Sequence, residues 1–283
     1  MGIKMDGKAL ADKICLDLKA QCDVLKSHNI NPVLTIVTSG EDSASKVYVR
    51  NKVKRCEEIG IKADVRHSVY LNYAECDDII YSVWNPIIVQ EPIVGNVTHA
   101  YVTENLSALN DVDGFSHLNM ALLATGGKPY HRPCTPSGVM RLLEEYNIPL
   151  EGTNALVIGR SNIVGRPMAM MLEQAGCTVT VAHSKTTKDS LIENFVSADI
   201  VVSAVGKRNV VSDAEFLPSK RLKDKVLIDV GMNRDENGKL CGDFSEELKQ
   251  KAAYYTPTPG GTGPMTVAML MQNVIEYYER YYF

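Results

Sequence analysis

The sequence predicts an α/β protein, and three observations predict it. Runs rich in Val and Ile alternate with helical patterns along the chain. Several of these runs are apolar without polar alternation, as parallel strands covered on both faces should be. Two Gly/Pro clusters, at residues 126–138 and 256–264, interrupt the pattern. Between them lies a compact strand–helix series. A length of 283 residues fits one large domain or two medium ones.

In chain order, "PVLTIVTSG", "NPIIVQ", "NALVIG", "TVTVAH", "ADIVVSAVG" and "KVLIDVG" read as strands. "SASKVYVRNKVKRCEEIG" reads as an amphipathic helix, and "GVMRLLEEY" as a helix leading into the central series. The last segment, "MTVAMLMQNVIEYYERYY", reads as one helix that is too short to fold alone. It is expected to pack back on the N-terminal part of the chain.

Composition excludes several classes. The net charge is −4 with no basic block, which argues against nucleic acid as a partner. No apolar run is long enough to span a bilayer, and the N-terminus lacks a signal-peptide core, so the expected location is the cytoplasm. Seven scattered cysteines, an odd number without C-x-x-C, fit reduced thiols rather than a disulfide framework or a zinc site. His67, His99, His117 and His131 have no metal-like spacing; they are assigned no role, and no metal site is expected.

"NALVIGRSNIVGRPMAMMLEQAGCTVTVAHS" has the plan of a strand, tight turn, helix and strand within about 30 residues, the length of a βαβ unit. Gly159 ends the strand, and Gly165 falls in the first helical turn, where a side chain would collide with strand or ligand. The spacing is not G-x-G-x-x-G, since Ser161 stands at the middle glycine. Its hydroxyl can donate to phosphate, and the helix-start amides can receive a pyrophosphate. The alternative is a βαβ unit that binds nothing. An NAD site usually carries Asp or Glu at the end of the second strand; here the strand runs into "AHSKT". Arg160, His183, Ser184 and Lys185 can instead surround a 2′-phosphate, which favours NADP. Lys185 as a solvated surface charge is the alternative.

In "SASKVYVRNKVKRCEEIG" the helical period places Tyr48, Val49, Val53, Cys56 and Ile59 in one arc of roughly 140°. Lys52 falls inside that arc, one turn from Tyr48. An inward lysine must be paired, hydrated in a cleft or neutral. The two readings are a snorkelling lysine and an active-site amine, its pKa lowered by its surroundings, beside a phenol. Gln90 lies at the C-terminal end of the "NPIIV" strand, where α/β sheets place ligands. Asp113, in "NDVDGF", is either a ligand carboxylate or an ordinary turn or N-cap residue.

With these residues on the page, the sequence resembles the bifunctional methylenetetrahydrofolate dehydrogenase/methenyltetrahydrofolate cyclohydrolase family over essentially its full length. The matching stretches are "SKVYVRNKVKRCEEIGI", "IVQ", "DVDGF", "RPCTPSGV", "VIGRSNIVGRPMAMML", "VTVAHSKT", "VLIDVGMNRDENGKLCGDF" and "TPTPGGTGPMTVAMLM". In this order they are highly specific together. The resemblance implies two domains with a central cleft: a folate-binding catalytic domain, residues 1–132 completed by helix 262–283, and a Rossmann-type NADP-binding domain, residues 133–261. It implies NADP-dependent oxidation of 5,10-methylenetetrahydrofolate, then hydrolysis to 10-formyltetrahydrofolate, in one-carbon metabolism, and a homodimer. Carried over by motif, Tyr48 and Lys52 form the tyrosine–lysine pair of the folate site, with Gln90 beside them. Asp113 holds the pterin. Val89, Glu91, Pro259, Gly260 and Gly261 line the folate site. Gly159, Arg160, Ser161, Gly165, His183, Ser184 and Met232 match cofactor positions.

The chain also departs from the family pattern. "QEPIV" stands where Q-L-P-L-P is usual, placing the charge of Glu91 at an apolar position. "NDVDG" replaces K-D-V-D-G, Ser43 replaces a proline, and Met232 replaces a common isoleucine. Two other functions fit part of the pattern. One is a shikimate dehydrogenase-like NADP enzyme; the "PGGTGPMT" segment and the Tyr48–Lys52 spacing favour folate over it. The other is a nucleotide-binding protein without catalysis, which would need none of Lys52, Gln90 and Asp113.

Overall fold

The computed structural model describes residues 2–208, 210, 213–219 and 221–282. In chain order the elements begin with β1 (Ile3–Lys4), α1 (Gly7–Ser27), β2 (Val33–Ser39), α2 (Ser43–Ile59), β3 (Lys62–Ser68), α3 (Tyr73–Ser82) and β4 (Ile87–Val89). Next come α4 (His99–Asn105), α5 (His117–Ala124), α6 (Cys134–Glu145), β5 (Asn154–Ile158), α7 (Gly165–Gln174), β6 (Thr178–Ala182), α8 (Lys188–Ser197) and β7 (Ile200–Ser203). The chain closes with α9 (Asp213–Phe216), β8 (Val226–Asp229), β9 (Asn233–Arg234), β10 (Leu240–Cys241), α10 (Glu246–Lys251), β11 (Tyr254–Tyr255) and α11 (Thr262–Tyr282). Two compact units result: one holds residues 2–11 and Thr135–Thr266, the other Asp12–Cys134 and residues 267–282.

The first unit is built on a parallel sheet of order β1-β11-β8-β7-β5-β6. β7 and β8 are buried at every residue, and β5 at all but its first, which explains their unbroken apolar runs. Leu156, Ile158, Val201 and Leu227 pack with Phe195 and Phe216, whose rings meet edge-on at 4.1 Å. Lys225 is buried, and its ammonium donates to the Val196 carbonyl at 3.0 Å and to that of Ala198. These are the carbonyls that the end of α8 leaves unpaired. Burial pushes this lysine down to about 8. Chain order reverses direction at β5: β6 lies on one side and β7 on the other. Such a switch point opens a crevice at the C-terminal ends of the strands.

The second unit carries a parallel sheet of order β3-β2-β4, with β2 central and buried. Asp42 caps α2 by accepting from the Ser45 amide at 2.7 Å, and Gly60 ends the helix. α11 is tied in by side chains: the Tyr278 hydroxyl donates to the Val33 carbonyl at 3.0 Å and accepts from the Val33 amide at 2.9 Å. Asn273 donates to the carbonyls of Val112, at 2.8 Å, and Arg132, at 3.1 Å. No helix among the described residues is long and apolar enough to cross a membrane.

One buried ion pair lies at the end of β8, and the Asp229 backbone beside it anchors the loop between β11 and α11. Lys249 Nζ lies 2.8 Å from Asp229 Oδ2, with both side chains fully buried. Burial pushes the Asp229 carboxyl up, and Lys249 opposes that shift. The Asp229 amide donates to Thr256 Oγ1 at 2.7 Å, and the Thr262 hydroxyl donates to the Asp229 carbonyl at 3.1 Å. Lys249→Met leaves this carboxylate without its counter-charge, so the unfolding free energy should fall by about 3–5 kcal/mol at neutral pH. The variant's Asp229 is raised further, so the loss should shrink as pH falls through that value and the carboxyl takes a proton. Urea unfolding across pH measures this; a loss below about 1 kcal/mol, the range of an exposed pair, would contradict it.

Candidate active site

The inward lysine is received by an amide. On α2, Cys56 and Ile59 are fully buried, Val49, Lys52 and Val53 are half-buried, and Tyr48 is 40% exposed. Gln90 follows β4 directly, its amide donating to the Val37 carbonyl of β2 at 2.8 Å. Lys52 Nζ donates to Gln90 Oε1 at 2.9 Å, so the ammonium ends on a protein acceptor rather than reaching past the helix edge to water. Gln90 Nε2 donates in turn to the Glu91 carbonyl at 2.8 Å, which fixes the amide with its oxygen toward Lys52. Val89, the last residue of β4, pairs with Val37 and packs on the apolar cluster of Leu71, Ile79 and Val102.

Asp113 stands on a turn braced by a different carboxylate. Asp111 is buried; its oxygens accept from the Gly114 amide at 3.0 Å, the Ser116 amide at 2.6 Å and Asn119 Nδ2 at 3.2 Å. The turn-forming role considered for Asp113 therefore belongs to Asp111, and Ser116 is the N-cap of α5. Asp113 itself is half-buried. The Cys134 thiol is pushed well above its usual value, by burial first and then by the Asp113 charge, while Lys52 pulls it down. Lys52 and Asp113 thus both act on one buried sulfur.

Glu91 has a partner that spacing did not reveal. Its Oε1 lies 3.0 Å from His99 Nδ1, and its Oε2 accepts from the Ile93 amide at 3.2 Å. The His99 contact holds Glu91 below the usual carboxylate range, and Glu91 holds His99 above the usual imidazole range. The sequence spacing assigns His99 no role; the structure gives it this one. His131, by contrast, is buried with Nε2 2.9 Å from the Leu109 carbonyl, and burial pushes it down to about 4.

In the first unit, the turn after β5 has the predicted glycines for backbone reasons. A Cβ on Gly159 would stand 2.6 Å from the Ala204 carbonyl oxygen, at the end of β7. A Cβ on Gly165 would stand 2.2 Å from the Gly159 carbonyl oxygen. The collision foreseen at Gly165 is thus with the strand's end, and it keeps the start of α7 tight against β5. Ser161 Oγ accepts from the amides of Val164, at 3.2 Å, and Gly165, at 3.3 Å. Two of the helix-start amides expected to be open are therefore occupied by Ser161, whose O–H remains its donor. The register Ile158↔Ala182 sets residues 183–186 beside 159–161. There the His183 amide donates to Thr186 Oγ1 at 2.9 Å and the Lys185 amide to His183 Nδ1 at 3.1 Å. Arg160, Ser184 and Lys185 are exposed, His183 is half-buried, and Met232 is 45% exposed.

Asp243 was not singled out, though it lies in the quoted "LCGDF". Its buried carboxylate accepts from Ser203 Oγ at 2.7 Å and from the amides of Val205, Gly206 and Lys207 at 3.1, 3.3 and 2.9 Å. It thereby shapes the loop at the C-terminal end of β7, beside the Gly159 turn. Only burial and partner count reveal that role; the residue type and spacing alone do not. Pro259, Gly260 and Gly261 follow the segment stitched to Asp229, and the Gly260 carbonyl accepts from the Lys8 amide at 2.9 Å. The structure thus joins Lys52, Gln90 and Glu91 by hydrogen bonds and gathers Gly159, Arg160, Ser161 and residues 183–185 at one sheet edge. Among the described residues, no cluster of His, Cys, Asp or Glu has the geometry to hold a metal ion.

Two family models match the chain. The tetrahydrofolate dehydrogenase/cyclohydrolase catalytic domain matches residues 5–113, and the NAD(P)-binding domain of the same family matches residues 133–282. A bifunctional protein FolD of Paraburkholderia xenovorans is 44% identical over 287 aligned residues, covering 98% of this chain and 96% of the relative. The crystal structure of a FolD methylenetetrahydrofolate dehydrogenase/cyclohydrolase from Campylobacter jejuni superposes with a TM-score of 0.93 at 40% identity, covering 99% of this chain and 100% of that one. The enzyme of Trypanosoma brucei, crystallised with NADP cofactor and inhibitor, superposes with a TM-score of 0.89 at 28% identity, covering 99% of this chain and 98% of that one.

Proposed function

The chain belongs to the tetrahydrofolate dehydrogenase/cyclohydrolase family, and from that premise we infer how its own residues divide two reactions. It is a bifunctional enzyme that oxidises 5,10-methylenetetrahydrofolate to the 5,10-methenyl form with NADP and hydrolyses that product to 10-formyltetrahydrofolate. The observation that carries the assignment of roles is the 2.9 Å hydrogen bond from half-buried Lys52 to Gln90.

NADP, when bound, accepts the hydride that leaves the methylene carbon. The nitrogens on either side of that carbon share the resulting cation, so oxidation needs no protein base; the chain's task there is orientation. Asp113 presents a carboxylate that can accept paired hydrogen bonds from the pterin's amino and ring N–H groups. Hydration is different. The attacking water gives up both protons as its oxygen becomes the formyl carbonyl: the bond between the methenyl carbon and one ring nitrogen breaks, that nitrogen gains one proton, and the other leaves to solvent. We assign this transfer to Lys52 Nζ, with Gln90 orienting it and Tyr48 one turn away. Val89, Glu91, Pro259, Gly260 and Gly261 are proposed as further folate contacts.

The first unit's residues fit NADP. Gly159 lets the turn at the switch point pass close to the Ala204 carbonyl, and the Ser161 hydroxyl has a proton to donate. Arg160, His183, Ser184 and Lys185 form a segment of donors without a carboxylate. Gly165 maintains the close strand–helix contact, and Met232 is proposed to flank the cofactor. We propose residues 1–132 with 262–283 as the folate-binding domain and 133–261 as the NADP-binding one. A homodimer in the cytoplasm is the proposed state; free cysteines, six of the seven buried, agree with a reducing compartment.

Purified protein given methylenetetrahydrofolate should reduce NADP much faster than NAD, and Ser184→Asp should erase or reverse that preference by repelling the 2′-phosphate. Equal use of both cofactors by the parent would overturn the assignment. Asp113→Asn turns one acceptor oxygen into a donor facing pterin donors, so folate binding or turnover should fall by roughly 2 kcal/mol or more. NADP affinity should be unchanged; calorimetry showing NADP affinity lost and folate affinity intact would move Asp113 out of the folate site.

A further inference from the structure

We propose that Glu91 and His99 form a proton-linked positioning pair for the folate site, so that substrate binds most tightly while His99 carries its proton. The proposal rests on the folate assignment made above and on a continuous path of contacts. Lys52 Nζ donates to Gln90 Oε1 at 2.9 Å, and Gln90 Nε2 donates to the Glu91 carbonyl at 2.8 Å. The Glu91 side chain is held by His99 at 3.0 Å and by the Ile93 amide at 3.2 Å. The His99 ring stands edge-on to Phe115, with centroids 5.9 Å apart, and Phe115 is two residues beyond Asp113. The pair therefore joins the residue that orients the lysine to the turn that presents the carboxylate.

The charged groups that act on His99 are carboxylates: Glu91 from the segment after β4, and Asp113 and Asp111 from the turn before α5. His99 is the first residue of α4, where a helix disfavours a cation. The three carboxylates offset that cost, and the imidazolium in return offsets the charge of Glu91 at a position where the family pattern has an apolar residue. When His99 loses its proton, the loop after β4 loses its ionic tether. Three carboxylates then flank a neutral ring, and the Gln90 amide is less firmly oriented. The His99 value is raised in the folded protein, so the tether is complete below the ordinary histidine range and is lost as pH rises through the raised value. Glu91 is proposed as a folate contact and His99 is not; neither side chain is assigned to the reacting atoms, and as a pair they act through Gln90 as positioning residues.

The experiment is the pH profile of KM for methylenetetrahydrofolate in parent, His99→Gln and Glu91→Gln, followed by NADPH formation from about pH 6 to about pH 9. In the parent, KM should rise with pH by about 2- to 5-fold beyond any rise in the variants, in proportion to what a partly exposed ion pair contributes. Titration of the substrate is common to all three proteins and cancels in that difference. Both variants should show the parent's high-pH KM at every pH, and KM for NADP should not follow the same profile. A parent–variant difference that does not change with pH overturns the proposal, as does a His99→Gln variant that keeps the parent's profile. Absence of NADPH formation by the parent would instead overturn the folate assignment. Glu91→Gln keeps size and hydrogen bonding, so it decides the matter should His99→Gln fail to fold.

Discussion

The site in the second unit depends on where one ammonium is placed. Helix α2 must bury Cys56 and Ile59, and the helical period then carries Lys52 inward with them. A lysine brought out of water is tolerable only where an acceptor meets it. Here the acceptor is Gln90, held at the end of β4 by its bond to Val37 and turned by its own bond to Glu91. The lysine is therefore neither a surface charge nor a sealed one. It is half-buried and oriented, as the proton-transfer role proposed for it requires.

The first unit solves a different problem, that of presenting backbone to a phosphate-bearing ligand. Here carboxylates serve as internal braces. Asp243 gathers three loop amides and a hydroxyl at the end of β7, and the Asp229 carboxylate accepts from the Asp243 and Phe244 amides at 2.9 and 3.2 Å, tying β8 to the segment before α10. Each is buried and so needs compensation: Asp243 receives it from N–H and O–H donors, Asp229 also from Lys249. The second unit uses Asp111 in the same way beneath the turn that carries Asp113. In each case a buried acid fixes a loop, leaving the loop's outer residues available for a ligand.

Much of this was legible in the sequence. The six apolar runs correspond to β2, β4, β5, β6, β7 and β8; β5, β7 and β8 are legible because burial on both faces leaves an unbroken apolar run, whereas the mostly exposed edge strand β6 is legible from its β-branched Thr and Val. Lys52 stood out because it broke an otherwise regular arc. β3 left no such record: it lies at a sheet edge, half-exposed, and reads "KADVRHS". β1 and β11 are two-residue strands whose pairing is set by tertiary contact rather than by pattern. The division of labour between Asp111 and Asp113 depends on which carboxylate is buried, which one turn of sequence does not show. Ser161 was read as a phosphate donor, yet it also caps its own helix. The Glu91–His99 contact joins residues eight apart across a loop, a spacing with no helical or strand period to reveal it.

The most direct test of the central claim is Lys52→Met, assayed separately for the two activities. Methionine matches lysine in length but carries no proton. Hydrolysis of added methenyltetrahydrofolate should fall by about 10²- to 10⁴-fold, the usual cost of a missing acid/base group. NADPH formation from methylenetetrahydrofolate should persist in part, and methenyltetrahydrofolate should accumulate. A variant that hydrolyses methenyltetrahydrofolate at the parent's rate would contradict the account and leave Lys52 as a structural lysine.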